Sequence, residues 1–149
     1  MFRKRQQFNP LKICVEILTI QLCFYICYVL IAVSFDSIFK VRFSPSQLFD
    51  STVFKIGTRA GKIAIGSMIT SSLFGALVFV AIEGRHRRAL DFMSTMMVIH
   101  VLICSIEYHF PSGAWWWVTC IASWILSTPF AELLSMKQEL RDINLEGIL

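Results

Sequence analysis

The sequence predicts an all-α fold, namely a polytopic membrane protein whose four transmembrane helices form a bundle. Hydrophobic residues make up 56% of the 149 residues and charged residues only 16%, whereas soluble domains average about 25% charged residues. Residues 63–82 contain no charged side chain, and about 20 apolar residues are enough to cross a bilayer. The net charge of +4 is too small to indicate nucleic-acid binding, so no such partner is expected.

Four segments of the chain are apolar enough to be spans. The first begins after Asn9-Pro10, and proline is well tolerated at the first position of a helix. It is longer than a signal-peptide core and has no obvious cleavage site, so we interpret it as a retained span. The predicted spans are residues 11–35, 63–82, 89–110 and 114–134; a basic tail, residues 1–10, precedes them and a polar tail, residues 135–149, follows them.

The polar interval 36–62 is predicted to be the loop between the first two spans. Ser44-Pro45 within it is a plausible helix start, because serine caps helices and proline suits their first turn. The apolar residues Leu48, Phe49 and Phe54 that follow predict a short helix lying in the membrane interface.

A tight turn is predicted between the third and fourth spans. Pro111-Ser112-Gly113 combines a residue that cannot continue a helix with strong turn chemistry. Trp115, Trp116 and Trp117 follow the turn directly. Because indole rings favour the headgroup region of a bilayer, the three tryptophans are predicted to be interfacial anchors.

An even number of spans places both termini on one side of the membrane. Nine basic residues fall on that side and five on the other. Cytoplasmic loops carry an excess of Lys and Arg, so both termini are predicted to be cytosolic and the loop 36–62 lumenal.

Small residues recur along one face of the second predicted span. Ser67, Ser71 and Gly75 stand four residues apart, a spacing that lets two helices approach closely. This helix-packing face indicates either packing within the protein or lateral association, and the sequence leaves a homo-oligomer open.

His100 lies close to the middle of the third predicted span. An ionisable residue at that depth is a functional hypothesis by default. A proton path would need acids or histidines at several depths on other helices, and no second deep acid is present. We therefore favour a neutral His100 that hydrogen-bonds to a neighbour. Separately, Gln21 and Tyr25 share a face of the first predicted span, and we expect this face to hydrogen-bond to a neighbouring helix.

No motif of an enzyme is found in the sequence. It contains no nucleophile motif, zinc-protease pair, phosphate loop or dinucleotide fingerprint, so we expect a protein that is not an enzyme and has no cofactor or metal. The five cysteines lie within predicted helices and are expected to be small packing residues. Cys14 alone stands near the predicted cytosolic boundary, where palmitoylation is an option.

Several short segments, in a fixed order, resemble the Sys family of four-span Golgi membrane proteins. The resemblance covers residues 9–143, with Asn9 standing where the family pattern has aspartate. It rests on Asn9-Pro10, Ser44-Pro45-Ser46, Leu48-Phe49-Asp50, Leu90-Asp91-Phe92, Phe110-Pro111-Ser112, Trp116-Trp117 and Glu132 with Met136, Glu139 and Leu140.

This resemblance implies a receptor on trans-Golgi membranes. Members of the family recruit an Arf-related small GTPase that carries an acetylated, amphipathic N-terminal segment. That GTPase in turn supports the recruitment of coiled-coil golgins that capture endosome-derived vesicles. The implied partners are therefore the GTPase and the lipid bilayer.

The predicted topology indicates where such a partner would dock. The segments assigned to the cytosol are short, so the GTPase would bind helix ends and brief charged segments. The predicted docking set is Lys12, Glu16, Arg85, Arg87, Arg88, Glu132, Lys137 and Glu139. Two alternatives remain: a small four-helix transporter or channel that uses His100, and an assembly protein that uses the helix-packing face.

Overall fold

The computed structural model describes residues 9–146, with side chains described as far as Ile143. Within this part of the chain every regular element is helical, and four helices are long and apolar enough to cross a membrane. The predicted all-α, four-span fold is confirmed. The long helices are α1 (Pro10–Phe39), α3 (Arg59–Ile82), α4 (Ala89–Tyr108) and α5 (Ala114–Glu146), with a short α2 (Ser46–Phe49) and 3₁₀ turns at Ser51–Val53 and His86–Arg88.

Local chemistry accounts for where the first long helices begin and end. The Asn9 side chain accepts a hydrogen bond from the Lys12 N–H at 3.4 Å, and Pro10 occupies the first turn of α1. Lys40 ends α1 in the left-handed conformation, with φ 54°. The Thr58 hydroxyl accepts a bond from the Gly61 N–H at 3.0 Å and so caps α3. Each cap satisfies a backbone group that the helix cannot satisfy itself.

Three of the four long helices extend beyond their predicted spans, whereas α4 ends at Tyr108, before the predicted end at residue 110. α1 continues to Phe39, α3 begins at Arg59, and α5 continues to Glu146. The α5 helix also passes through Pro129, a residue that membrane helices tolerate. A helix does not need to end where the hydrocarbon ends, because polar residues continue it outside the bilayer. The positions of the membrane boundaries along these helices therefore stay predictions.

The α3 helix is the centre of the bundle. It packs extensively against both α1 and α5, while α4 packs mainly against α5. A Cβ atom added to Gly75 of α3 would lie 3.2 Å from the Met96 sulfur of α4 and 3.7 Å from the Phe24 ring of α1. Gly75 thus lies at a point where α1, α3 and α4 meet.

The bundle has two distinct ends. We call one the terminal end, because it holds the start of α1, the described end of α5 and the α3–α4 connection. His86 of that connection contacts Glu139 near the end of α5. We call the other the turn end; it holds residues 40–58 and the α4–α5 turn. Both described ends of the chain therefore lie at the same end of the bundle, while their cytosolic orientation stays a prediction.

The α2 region packs against the long helices of the bundle. Leu48 and Phe54 are buried, and the Tyr28 hydroxyl donates a hydrogen bond to the Gln47 carbonyl at 3.4 Å. The prediction of a helix in this segment is confirmed. Its interfacial position stays a prediction, but the side chains of Leu48 and Phe54 are buried by the protein itself.

The predicted turn lies between Tyr108 and Ala114. The Trp117 indole N–H donates to the Pro111 carbonyl at 2.9 Å, which closes the turn. Gly113 lies against the 3₁₀ turn of residues 51–53, because a Cβ atom there would come within 2.6 Å of the Ser51 carbonyl oxygen. The turn is therefore held both by its own hydrogen bond and by its contact with the 3₁₀ turn of residues 51–53.

The three tryptophans after the turn do not share one role. Trp115 is 47% exposed and Trp117 is partly buried, but Trp116 is 0% exposed. The prediction of an interfacial anchor is wrong for Trp116, whose ring lies inside the bundle. The reason is geometric: consecutive residues of an α-helix point about 100° apart, so three in a row cannot all face lipid.

Candidate docking surface

Charged residues of the α3–α4 connection and α5 form one cluster at the terminal end. The His86 Nδ1 atom lies 2.9 Å from a Glu139 carboxylate oxygen, and the His86 backbone N–H donates to the other oxygen at 3.4 Å. The Arg88 guanidinium donates to the Glu83 carboxylate at 2.8 Å, and the Arg85 guanidinium lies 3.8 Å from the same oxygen. We call these five residues the charged cluster.

Within the charged cluster, the ion pairs of Glu83 contribute most to stability, because the Glu83 side chain is buried. The Glu83 side chain is almost fully buried, whereas its arginine partners are partly exposed. Hydrogen bonds to a charged group contribute roughly 1.5–3 kcal/mol, while fully exposed ion pairs contribute about 0.2–1 kcal/mol. Two arginines on one nearly buried carboxylate therefore hold the α3–α4 connection in a fixed conformation.

A second group of charges lies on α1. Lys12 and Glu16 stand one helical turn apart, and the Lys12 Nζ atom lies 3.4 Å from a Glu16 carboxylate oxygen. Glu16 is buried while Lys12 is mostly exposed, so only the lysine faces a partner. Cys14 is exposed on the same turns of α1, and its palmitoylation stays a prediction.

The remaining members of the predicted docking set are exposed. Arg87 projects from the α3–α4 connection, and Lys137 lies on α5 beside the charged cluster in sequence. Glu132 is also exposed on α5, about two turns before Glu139. Among the described residues, the ion pairs involve none of these three side chains, which leaves their charges available to a partner.

The structure divides the predicted docking set into two groups. Arg85, Arg88 and Glu139 belong to the charged cluster, whereas Lys12 and Glu16 form a separate ion pair on α1. Sequence reasoning missed Glu83 and His86, although Glu83 stands five residues before Arg88 and the His86–Glu139 contact needs the tertiary fold.

His100 lies in a closed aromatic environment at the centre of the bundle. It is 0% exposed, and the Trp116 ring stacks on it with a centroid distance of 6.1 Å. Its Nδ1 atom is 3.1 Å from the Tyr25 hydroxyl, and its Nε2 atom is 3.6 Å from the Cys104 sulfur. The predicted hydrogen bond to a neighbouring helix is present. Both ring nitrogens have partners, which favours a packing role over a polar path.

The helix-packing face of α3 is covered by the protein itself. Ser67 and Ser71 are fully buried, and their hydroxyls donate to the backbone carbonyls of Ile63 and Ser67 in their own helix. Gly75 faces Met96 and Phe24. The face thus packs α3 against α1 and α4 within the chain, which disfavours its use for lateral association.

Comparisons with known proteins agree with this architecture. The family model described as SYS1, an integral membrane protein linking to the trans-Golgi network, matches residues 3–145. The chain is 30% identical to a SYS1 homolog of Dictyostelium discoideum over 98% of its own length and 63% of that protein. It is 29% identical to a SYS1 homolog of Nematostella vectensis over 93% of its own length and 88% of that protein.

The chain therefore spans less than two thirds of the length of the Dictyostelium relative. No solved structure matches it. The family match nevertheless covers nearly every residue of the four-helix bundle. The chain belongs to the SYS1 family, and it is an integral membrane protein of the trans-Golgi network.

Proposed function

We propose that this protein is a receptor that recruits an Arf-related small GTPase with an acetylated N-terminus to trans-Golgi membranes. The GTPase docks at the terminal end of the bundle, which faces the cytosol. Recruitment of the GTPase supports golgin binding and the capture of endosome-derived vesicles. The family's link to the trans-Golgi network supports this role.

The observation that carries the proposal is the arrangement of charges at the terminal end. Glu83 and Glu139 are engaged with basic residues of the α3–α4 connection, so that the backbone there is held in place. Arg87 and Lys137 are exposed on this fixed base. A surface that is already ordered loses less conformational freedom when a partner binds. The exposed charges therefore form the docking contacts, and the paired charges support them.

The shape of this surface suits a partner that also binds the bilayer. The α3–α4 connection is short, running from the end of α3 at Ile82 to the start of α4 at Ala89. A GTPase with an amphipathic N-terminal segment gains part of its affinity from membrane insertion. The receptor then needs to supply only a few contacts close to the membrane surface, as Arg87 does.

Co-flotation with proteoliposomes tests the proposal. The full-length protein is reconstituted in neutral vesicles and mixed with the N-acetylated GTPase, loaded with GDP or with a non-hydrolysable GTP analogue. The double variant Arg87→Glu/Lys137→Glu removes the exposed docking charges. The matched control, Arg42→Glu/Lys55→Glu, reverses two exposed charges at the turn end.

We expect the docking variant to lower GTPase binding by about tenfold and the control to leave it unchanged. The magnitude follows from exposed charge pairs worth about 0.2–1 kcal/mol each and from about 1.4 kcal/mol per tenfold in affinity. Equal binding of the GTPase to empty vesicles and to vesicles that contain the wild-type protein would refute the receptor role.

A further inference from the structure

A cavity of about 730 Å³ opens at the turn end of the bundle, away from the candidate docking surface. It lies between the end of α1 and the start of α3. Seven residues line it: Phe35, Ile38, Phe39, Lys40, Arg59, Lys62 and Ile63. We call it the α1–α3 cavity.

One wall of the α1–α3 cavity is apolar and uncovered. Ile38 is 69% exposed and Phe39 is 56% exposed, although both lie in the last turn of a helix that is apolar enough to span a membrane. Large apolar side chains at this position are energetically favourable only if hydrocarbon covers them. The wall therefore fits an acyl chain.

The rim of the α1–α3 cavity carries three positive charges. Lys40 ends α1, while Arg59 and Lys62 lie in the first turns of α3. The positive end of the α3 dipole has the same sign as these side chains, so the arrangement is unfavourable without an anion. The rim therefore fits a negatively charged group.

No protein carboxylate neutralises this rim within residues 9–143. The ion pairs of the described side chains lie at the terminal end, on Glu16, Glu83 and Glu139. Asp36 is close to Lys40 in sequence but is buried in the bundle, and no ion pair joins the two. The compensating negative charge must then come from outside the described chain.

We propose that the α1–α3 cavity binds one anionic phospholipid. The headgroup phosphate lies between Lys40, Arg59 and Lys62, and an acyl chain covers Phe39 and Ile38. Free phosphate would leave the apolar wall exposed, and a neutral lipid would leave the three charges uncompensated. Only an amphiphile with an anionic head both covers the apolar wall and neutralises the positively charged rim. This site lies at the opposite end from the docking surface and does not depend on the GTPase proposal.

Native mass spectrometry of the full-length protein tests the site. The purified protein is titrated with phosphatidylserine and, separately, with phosphatidylcholine, and bound lipids are counted. The test variant is Lys40→Gln/Lys62→Gln. The matched control, Arg42→Gln/Lys55→Gln, removes two exposed charges from the same end of the bundle without touching the cavity.

We expect one phosphatidylserine to bind the wild-type protein and the control variant with equal affinity, and phosphatidylcholine to bind more weakly. The test variant should bind phosphatidylserine roughly 25-fold more weakly, at about fivefold per charge near a membrane surface. A large excess of inorganic phosphate should not displace the lipid, because the apolar wall contributes to its binding.

Three results would overturn the proposal. Equal losses in the test and control variants would mean that the charges act only as a general attraction for anionic lipid. Equal binding of phosphatidylserine and phosphatidylcholine would show that the charged rim does not select an anionic headgroup. Displacement of the lipid by inorganic phosphate would show that the apolar wall does not contribute to binding. If the test variant does not purify, Arg59→Gln changes a single exposed residue of the same rim and should weaken binding by about fivefold.

Discussion

His86 and Glu139 are 53 residues apart in sequence, yet the His86 Nδ1 atom lies 2.9 Å from the Glu139 carboxylate. This contact joins the α3–α4 connection to the far end of α5. The backbone N–H of His86 donates to the same carboxylate, so one side chain fixes both the backbone and the ring. This polar contact ties the α3–α4 connection to α5 at the terminal end of the bundle.

Replacing Glu139 should loosen this end of the bundle. We expect Glu139→Ala to lower the free energy of unfolding by about 0.5–1.5 kcal/mol, below the usual value for a charged group, because both side chains are about one third exposed and the backbone contact is long. Glu132→Ala is the matched control, because Glu132 is an exposed acid on the same helix. Unfolding in detergent, followed by circular dichroism, measures the difference. Equal stability of the two variants would contradict the structural role of Glu139.

The hydrogen bond between Tyr25 and His100 should affect stability and not transport. Tyr25→Phe removes only the hydroxyl that contacts the ring, and we expect a loss of about 0.6 kcal/mol, the average for a hydrogen bond between membrane helices. His100→Leu should destabilise the protein further while leaving GTPase recruitment intact. A proton flux in proteoliposomes that His100→Leu abolishes would instead support a transporter.

Gly75 should tolerate a small side chain better than a large one. The added Cβ atom of Gly75→Ala meets the Met96 sulfur at 3.2 Å, and the flexible methionine can move. Gly75→Leu must displace Phe24 as well, and overpacking of a core costs roughly 1–3 kcal/mol. Thermal unfolding measures both variants, with Gly57→Ala as the control because nothing lies within 4 Å of its added Cβ.

The oligomeric state of the Gly75→Leu variant separates packing from assembly. If α3 packs only within the chain, size-exclusion chromatography with light scattering should give the wild-type mass for any folded variant. A stable variant that loses an oligomer present in the wild type would show that the helix-packing face serves lateral association after all.

The tryptophans after the turn should differ sharply in their contribution to stability. Trp116 is fully buried against His100, so Trp116→Ala should cost about 3–5 kcal/mol. Trp115→Ala removes a half-exposed ring and should have a much smaller effect on unfolding. Chemical denaturation in detergent compares the two, and similar losses for both variants would contradict the assignment of Trp116 to the core.

Much of the fold follows from the sequence because the bilayer imposes simple rules. The charge-free segment 63–82 predicted a span, and Pro111 and Gly113 predicted the turn; both features are present. The prediction for Trp116 is wrong because tryptophan's preference for the membrane interface does not indicate which way a residue points on its helix. Trp116 points into the bundle. The burial of Leu48 and Phe54 against the other helices could not be predicted, because no local signal distinguishes an apolar face that meets lipid from one that meets protein.

Fewer features of the candidate docking surface could be predicted from the sequence. The alternation of the four spans predicted that Arg85, Arg88 and Glu139 lie on the same side of the membrane, and therefore at one end of the bundle. It did not show that Glu83 engages the arginines or that His86 binds Glu139, because those contacts depend on how α5 packs beside α3. The division between paired and exposed charges is therefore a property of the tertiary structure.

The position of the Arf-related GTPase in cells that lack this protein tests the receptor role most directly. We expect the GTPase to leave Golgi membranes, to return when the wild-type protein is expressed again, and to stay dispersed with Arg87→Glu/Lys137→Glu. Arg42→Glu/Lys55→Glu should restore it fully, and a resident Golgi marker should be unchanged throughout. A GTPase that stays on the Golgi in the absence of the protein would contradict the receptor role.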